Sequence, residues 1–169
     1  MFTAGDTVLY GAHGVCRIET IEKKSFGKEQ KEYFVLHPVF DPNAVIYVPT
    51  DNDNLTKKMK NVLTPEKIHE IIDALPTQEP IWIENENARR EHYRDILDRA
   101  DRSELARMIK TLYLYRQEQA AHGKKLHMVD ERFFKDAEKL LYDEFALVLG
   151  ISRAEVLPFI QKRIPQGAQ

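Results

Sequence analysis

The groups in this chain best suited to charged or aromatic contacts are arginines and a few large rings. Arg89, Arg90 and Arg94 fall together on a segment whose apolar residues recur at helical intervals, and Arg99, Arg102 and Arg107 extend the positive region. A guanidinium meets phosphate oxygens through a planar fork, so three or four on one face can follow a nucleic-acid backbone. The same residues also suit a solvated helix face, because Glu91, Asp95 and Asp98 stand where intrahelical ion pairs form. No side-chain set suggests a base-reading helix. Trp82, the one tryptophan, lies between Ile81 and Ile83. A ring of that size can act as a wedge against an opened base step, or it can pack where two domains meet.

Catalytic and metal chemistry have less to stand on. His13 and Cys16 are three residues apart, but His37, His69, His92, His122 and His127 are scattered. One cysteine excludes an intrachain disulfide, and no zinc site is expected without a second ligand pair. There is no glycine-rich phosphate loop, no Gly-x-Ser-x-Gly and no His-Glu-x-x-His. The carboxylates fall on helix faces. No enzymatic activity, metal or cofactor is expected. Tyr10, Tyr33 and Tyr47 would form a cage for a small cation if they converged on one open face.

Two kinds of element must position these groups. Thr7–Tyr10, Gly14–Glu22, Lys31–Leu36 and Ala44–Val48 read as short strands rich in β-branched and aromatic residues. Between Gly14 and Glu22, Val15 and Arg17 should face one way and Cys16, Ile18, Thr20 and Glu22 the other. Gly-Ala-His-Gly, Phe-Gly-Lys and Asp-Pro-Asn supply turns. Four or five such strands within about 60 residues predict a small antiparallel barrel of the Tudor or SH3 kind. From Thr64 onward the period is helical. Thr64 caps a helix with Pro65 at its first position and Ile68, Ile71, Ile72 and Leu75 on one side. Pro76–Pro80 reads as an interdomain hinge. Further helices are expected over Asn87–Arg99, from Asp101 to near Gly123, over Met128–Leu149 and after Ser152. Asp101/Glu104 and Ser152/Glu155 form capping boxes, Gly150 is a stop signal, and the tail after Arg163 should fray. The fold class is α+β: residues 1–60 a β-barrel, 61–80 a short helix and hinge, 81–169 an all-α helical domain.

Composition agrees with a folded domain pair, at 43% hydrophobic and 31% charged residues in 169. The formal net charge of −2 argues against indiscriminate nucleic-acid binding. Its distribution is uneven, since residues 89–125 carry 10 basic and 6 acidic side chains. The first residues lack a basic segment followed by an apolar run, and no apolar stretch nears the ~20 residues of a membrane helix. A cytoplasmic location is expected, with no membrane association.

Gly5-Asp6-Thr7-Val8 followed by Tyr10, then His13-Gly14-Val15, Glu29-Gln30-Lys31-Glu32-Tyr33 and Val48-Pro49, resemble the CarD/CdnL transcription regulators and the related domain of the transcription-repair coupling factor. The likeness continues through Arg89-Arg90, Leu112-Tyr113 with Arg116, and Leu126–Arg132 leading to Ala137. Where this family often has a capping Ser, the chain has His127, a weak cap that could displace the helix start. The resemblance implies a non-enzymatic regulator. Its barrel binds the RNA polymerase β subunit, and its helical domain lies on promoter DNA and stabilises the open complex. The monomer is the expected working form. Lys24 and Tyr47 match positions implied to contact polymerase; both are often basic in the family, so Tyr47 is a departure. Arg89, Arg90, Arg94 and Trp82 are the implied DNA contacts. The family's tryptophan lies two residues before the arginine pair, where this chain has Asn87, so Trp82 stands displaced. A protein-only adaptor, with a strand partner on the barrel and a second protein on the helices, is the alternative.

Overall fold

The computed structural model describes residues 1–164; the end of the tail expected to fray lies outside them. The chain divides into two compact units, Met1–Val62 and Leu63–Gln169. The first is an antiparallel sheet of five strands, the second a set of helices, an α+β arrangement in two domains.

In the first unit the strands are β1 (Thr7–Tyr10), β2 (Val15–Phe26), β3 (Glu29–Pro38), β4 (Ile46–Pro49) and β5 (Met59–Asn61), in the order β4-β3-β2-β1-β5. A short helix, α1 (Asp53–Thr56), stands between β4 and β5 and is capped by the Asn52 side chain, which accepts from the Leu55 amide. The β2–β3 hairpin is longer than the apolar pattern predicts and turns through Gly27-Lys28, with Gly27 at φ 83°. Positive φ at the first central residue suits the right-handed twist of two paired strands, and glycine adopts it without steric cost. Strand β5 has too few apolar residues to announce itself; its pairing with β1 defines it. One face buries Val8, Tyr10, Cys16, Ile18, Phe34, Leu36, Val48 and Met59 as a core. Each such aliphatic or aromatic side chain contributes about 1.5–3 kcal/mol relative to exposure.

A register shift between Ile18 and Thr20 makes Glu19 an extra residue in β2. Strict alternation would keep Ile18, Thr20 and Glu22 on one side. Instead Ile18 lies opposite Leu36 on the core face, while Thr20 lies opposite Val35, Glu22 opposite Tyr33 and Lys24 opposite Lys31. Directly paired residues share a face and neighbours along a strand alternate. The bulge therefore turns Glu22, Lys24 and Phe26 to the same side as Tyr33.

The second unit contains α2 (Pro65–Ala74), α3 (Glu86–Arg99), α4 (Arg102–Ala121), α5 (Met128–Leu149) and α6 (Arg153–Arg163). Thr64, Asn85 and Asp101 accept the amides of Lys67, Ala88 and Glu104 as side-chain N-caps. His127 does stand at the N-cap of α5 without a side-chain bond, and the helix starts at Met128 without displacement. Ser152 also makes no side-chain cap bond, so the second expected capping box does not form. Gly150 ends α5 at φ 68°. Tyr93, Ile96, Leu105, Leu112, Phe134, Leu141, Phe145 and Val156 are buried in the core of this unit.

The proline-rich stretch read as a hinge lies inside the second unit. Leu75–Thr77 forms a 3-10 turn that continues from α2, and Ile72 is fully buried. Lys110 Nζ donates to the carbonyls of Leu75 and Gln78, and Thr111 Oγ1 accepts the Ile81 amide at 3.2 Å. Prolines that leave carbonyls free can be pinned by side chains of a distant helix, which local composition does not register. The division falls earlier, at Val62/Leu63. There Glu144 accepts the Leu63 amide at 2.9 Å and both donors of the Arg102 fork.

Candidate nucleic-acid interface and docking face

Arg89 and Trp82 are drawn together by α5. Arg89 is buried, and its Nε and Nη2 donate to Asp130 Oδ1 and Oδ2 at 3.1 and 2.9 Å. Its Nη1 donates to the carbonyls of Ile83 and Glu84. Burial acts to lower the Arg89 pKa, but the hydrogen bonds and charge of Asp130 outweigh it and hold the guanidinium charged. The fork is therefore occupied within the protein and is not presented to phosphate. This departs from the even arginine face expected from spacing, because the partner lies 41 residues away in sequence.

Trp82 is stacked on Tyr115 at 3.5 Å between ring centroids and 13° between planes, and the Arg89 guanidinium carbon lies 4.3 Å from its ring. The ring is half-buried. Both contacts lie within the second unit, so Trp82 packs on α4 and on the arginine fixed by α5. Nothing local in the sequence marks Tyr115 or Asp130, the groups that hold it, for this role. Asp130 reads locally as a first-turn carboxylate of α5, and only its burial reveals its task.

Arg90 and Arg94 are one turn apart on α3. Arg90 Nη2 donates to Glu86 at 2.9 Å, and its side chain is 30% exposed. Arg94 is exposed and has no ion-pair or hydrogen-bond partner among the described residues. The extension splits: Arg102 is taken by the buried Glu144, whereas Arg99 pairs with Asp95 at the surface. Lys124 and Lys125 are exposed in the loop that enters α5, whose first turn holds Asp130. They belong to the same basic segment but lacked helical periodicity to mark them.

On the first unit, Lys24 and Tyr47 come into contact. Lys24 Nζ donates to Tyr47 Oη at 3.4 Å and lies 5.1 Å from its ring centroid. It also pairs with Glu22, whose hydrogen bond is the main cause of its raised pKa, followed by that of Tyr47. Tyr47 meets Tyr33 at 6.2 Å and Phe26 at 5.5 Å, and Phe26 meets Tyr33 at 5.2 Å, all in tilted or edge-on geometry. Such arrangements are the favoured ones for ring quadrupoles. Phe26 is 56% exposed and Tyr47 37%. The patch adjoins β4, an edge strand with one ladder partner. The three tyrosines do not converge on one open face, because Tyr10 is buried in the core on the opposite face, where it stacks on His13.

Cys16 is likewise in that core. Burial pushes its thiol up to about 11, and the sulfur lies 3.5 Å from the Gly14 carbonyl, a setting that keeps it a protonated, unreactive thiol. No group of three or more His, Cys, Asp or Glu among the described residues is placed to hold a metal ion. No helix among them is long and apolar enough to cross a membrane.

Two family models match the chain: the CarD-like/TRCF RID domain over residues 2–63 and the CarD C-terminal domain over 70–161. The chain belongs to the CarD family. A curated relative, named "Putative transcription factor YdeB" of Bacillus subtilis (strain 168), is 24% identical over 165 residues, covering 94% of this chain and 99% of its own length. The two family models meet near the division between the compact units, with the first ending at residue 63. Membership of the CarD family gives this protein a role connected with transcription.

Proposed function

We propose that this CarD-family protein is a non-catalytic, monomeric, cytoplasmic regulator that docks on the RNA polymerase β subunit through its sheet and on promoter DNA through its helices, stabilising the open complex. The observation that carries the reading is the joining of Lys24 and Tyr47, the two positions that the family resemblance assigns to polymerase, in one exposed cluster with Phe26 and Tyr33. The adjoining edge strand β4 has free backbone groups on one side, which suits pairing with an added strand. Tyr47 substitutes ring contact for the charge more usual at its position.

On the helical unit, Arg90 and Arg94 supply phosphate contacts, with Lys124 and Lys125 as further cations. Trp82 offers its exposed edge, and Arg89 acts as a positioning residue that sets the ring against Tyr115. The basic surface is small and the net charge is −2. Binding to free DNA is accordingly weak and salt-sensitive. Docking on polymerase raises the local DNA concentration enough for a few contacts to matter.

The test is the lifetime of an open complex formed by purified polymerase on a promoter fragment. The wild-type protein is expected to lengthen it. Arg90→Glu/Arg94→Glu should abolish the effect while leaving β-subunit binding intact. If that variant retains full activity, the DNA contact is wrong and the protein-only adaptor becomes the better account.

A further inference from the structure

The helical unit contains a cavity of about 150 Å³ among α2, α4, α5 and α6 that neither proposed contact uses. Its wall is apolar, built from side chains such as Ile71, Ile109, Leu141 and Phe145. A cavity of that size lined by aliphatic and aromatic groups takes a benzene-sized molecule. Polar groups line it too: Glu138 and Tyr142, one turn apart on α5, with Lys110, Tyr113 and Arg116 on α4 and Gln161 on α6. The Tyr142 hydroxyl has no hydrogen-bond partner among the described residues, and Glu138 has neither a hydrogen bond nor an ion pair there.

The charges around the cavity are otherwise matched. Arg116 pairs with Glu131 and lies over the Phe134 ring, and Arg153 pairs with Asp143. Lys110 is held by two backbone carbonyls. Glu138 is the one carboxylate lining the cavity, and it makes no direct ion pair among the described residues, although Arg116 and Arg153 lie near enough to favour its charge. Burial pushes its carboxyl up, Arg116 and Arg153 draw it down, and Glu131 adds to the rise. A half-buried carboxylate beside an apolar space is relieved by a cation with an apolar body, not by an anion.

We propose that this cavity is a binding site for a small amphipathic amine, with a ring-sized apolar group among the helices and its ammonium on Glu138. Tyr142 Oη is the second polar contact. The cavity is half open to solvent, and its volume of about 150 Å³ holds one ring, which favours a small molecule over the face of a partner helix. Arg163 clasps Asp73 through both donors at 2.8 and 3.0 Å, joining α6 to α2, two of the walls.

The experiment titrates the full chain with 2-phenylethylammonium, 3-phenylpropionate and ethylbenzene, read by methyl NMR shifts and melting temperature. Phenylethylammonium should saturate, shift the methyls of Ile71, Ile109, Leu141 and Leu157, and raise the melting temperature, because it binds the folded state. Glu138→Gln, with its fold checked by circular dichroism, should weaken that probe at least tenfold and leave ethylbenzene unchanged. Leu157→Ala, at a half-exposed wall position, should weaken both. The proposal is overturned if no probe saturates by low millimolar concentration, if phenylpropionate binds as well as the amine, or if Glu138→Gln leaves the amine affinity unaltered.

Discussion

Replacing Arg89 by Met tests how the Trp82 region is held. The change keeps an unbranched apolar stem and removes the guanidinium, leaving Asp130, which is 2% exposed, without its counter-ion. Removing one member of a buried pair costs about 3–5 kcal/mol, because the remaining charge stays desolvated. The second unit has roughly the size at which 1 kcal/mol moves the melting temperature by about 4–8 °C. A fall of more than ~10 °C is therefore expected. Asp130→Asn should act in the same direction. The double variant Arg89→Met/Asp130→Leu removes both charges and should recover much of the loss, giving a coupling energy of ~2 kcal/mol or more in a double-mutant cycle. The assay is urea unfolding followed by tryptophan fluorescence. Trp82 is the one tryptophan and touches Arg89 and Tyr115, so its emission reports this unit. As an internal control, Arg99→Ala removes a surface pair with Asp95, in which both side chains are 58% exposed, and should cost no more than about 0.5 kcal/mol. The reasoning is refuted if Arg89→Met costs no more than Arg99→Ala, or if the double variant is as unstable as the sum of its singles.

Other outcomes follow from the sheet unit. His37 contacts the Glu19 carboxylate through Nε2 and the Ala44 carbonyl through Nδ1, so both ring nitrogens must donate, and the hydrogen bond to Glu19 leads the causes of a raised pKa. A raised folded-state pKa gives stability that is complete below the unfolded value of about 6.5 and is lost as pH rises through the folded value. An NMR titration should place His37 above 6.5, and the pH dependence of melting through that range should flatten in His37→Gln. Cys16, with its thiol pushed up to about 11 and fully buried, should react with iodoacetamide at pH 8 at least a hundredfold more slowly in the native protein than in urea; equal rates would contradict its core position. Tyr47→Ala and Lys24→Glu should each weaken binding to an isolated β-subunit fragment about tenfold or more while leaving melting within a few degrees. A matching fall in stability would mark these residues as structural.

Much of the architecture was legible because it rests on local rules. Thr64-Pro65 and Asp101 open helices where their side chains can accept an early amide, and Gly150 closes α5 where a left-handed residue is needed. Apolar period separated a sheet-forming first part from a helical second, and the motifs from Gly5 to Pro49 and from Arg89 to Ala137 pointed to the family. Lys24 and Tyr47 were singled out by resemblance, but nothing local indicated that they touch. The bulge at Glu19 and the pairing of β3 with both β2 and β4 bring them together. Ser152 fits a cap by type yet makes no bond there, since a suitable residue does not ensure the required geometry.

What the sequence determined by itself was therefore the order and type of most elements, the division into a strand part and a helix part, and the family. The tertiary structure decided which charges are available. Arg89, Arg90 and Arg94 look alike along the chain, yet Asp130 claims the first, Glu86 engages the second, and the third alone has no partner among the described residues. Helical spacing specifies which residues share a face of one helix. Whether that face meets water or a carboxylate on another helix depends on packing between segments distant in sequence, and burial then determines whether a guanidinium can reach phosphate at all.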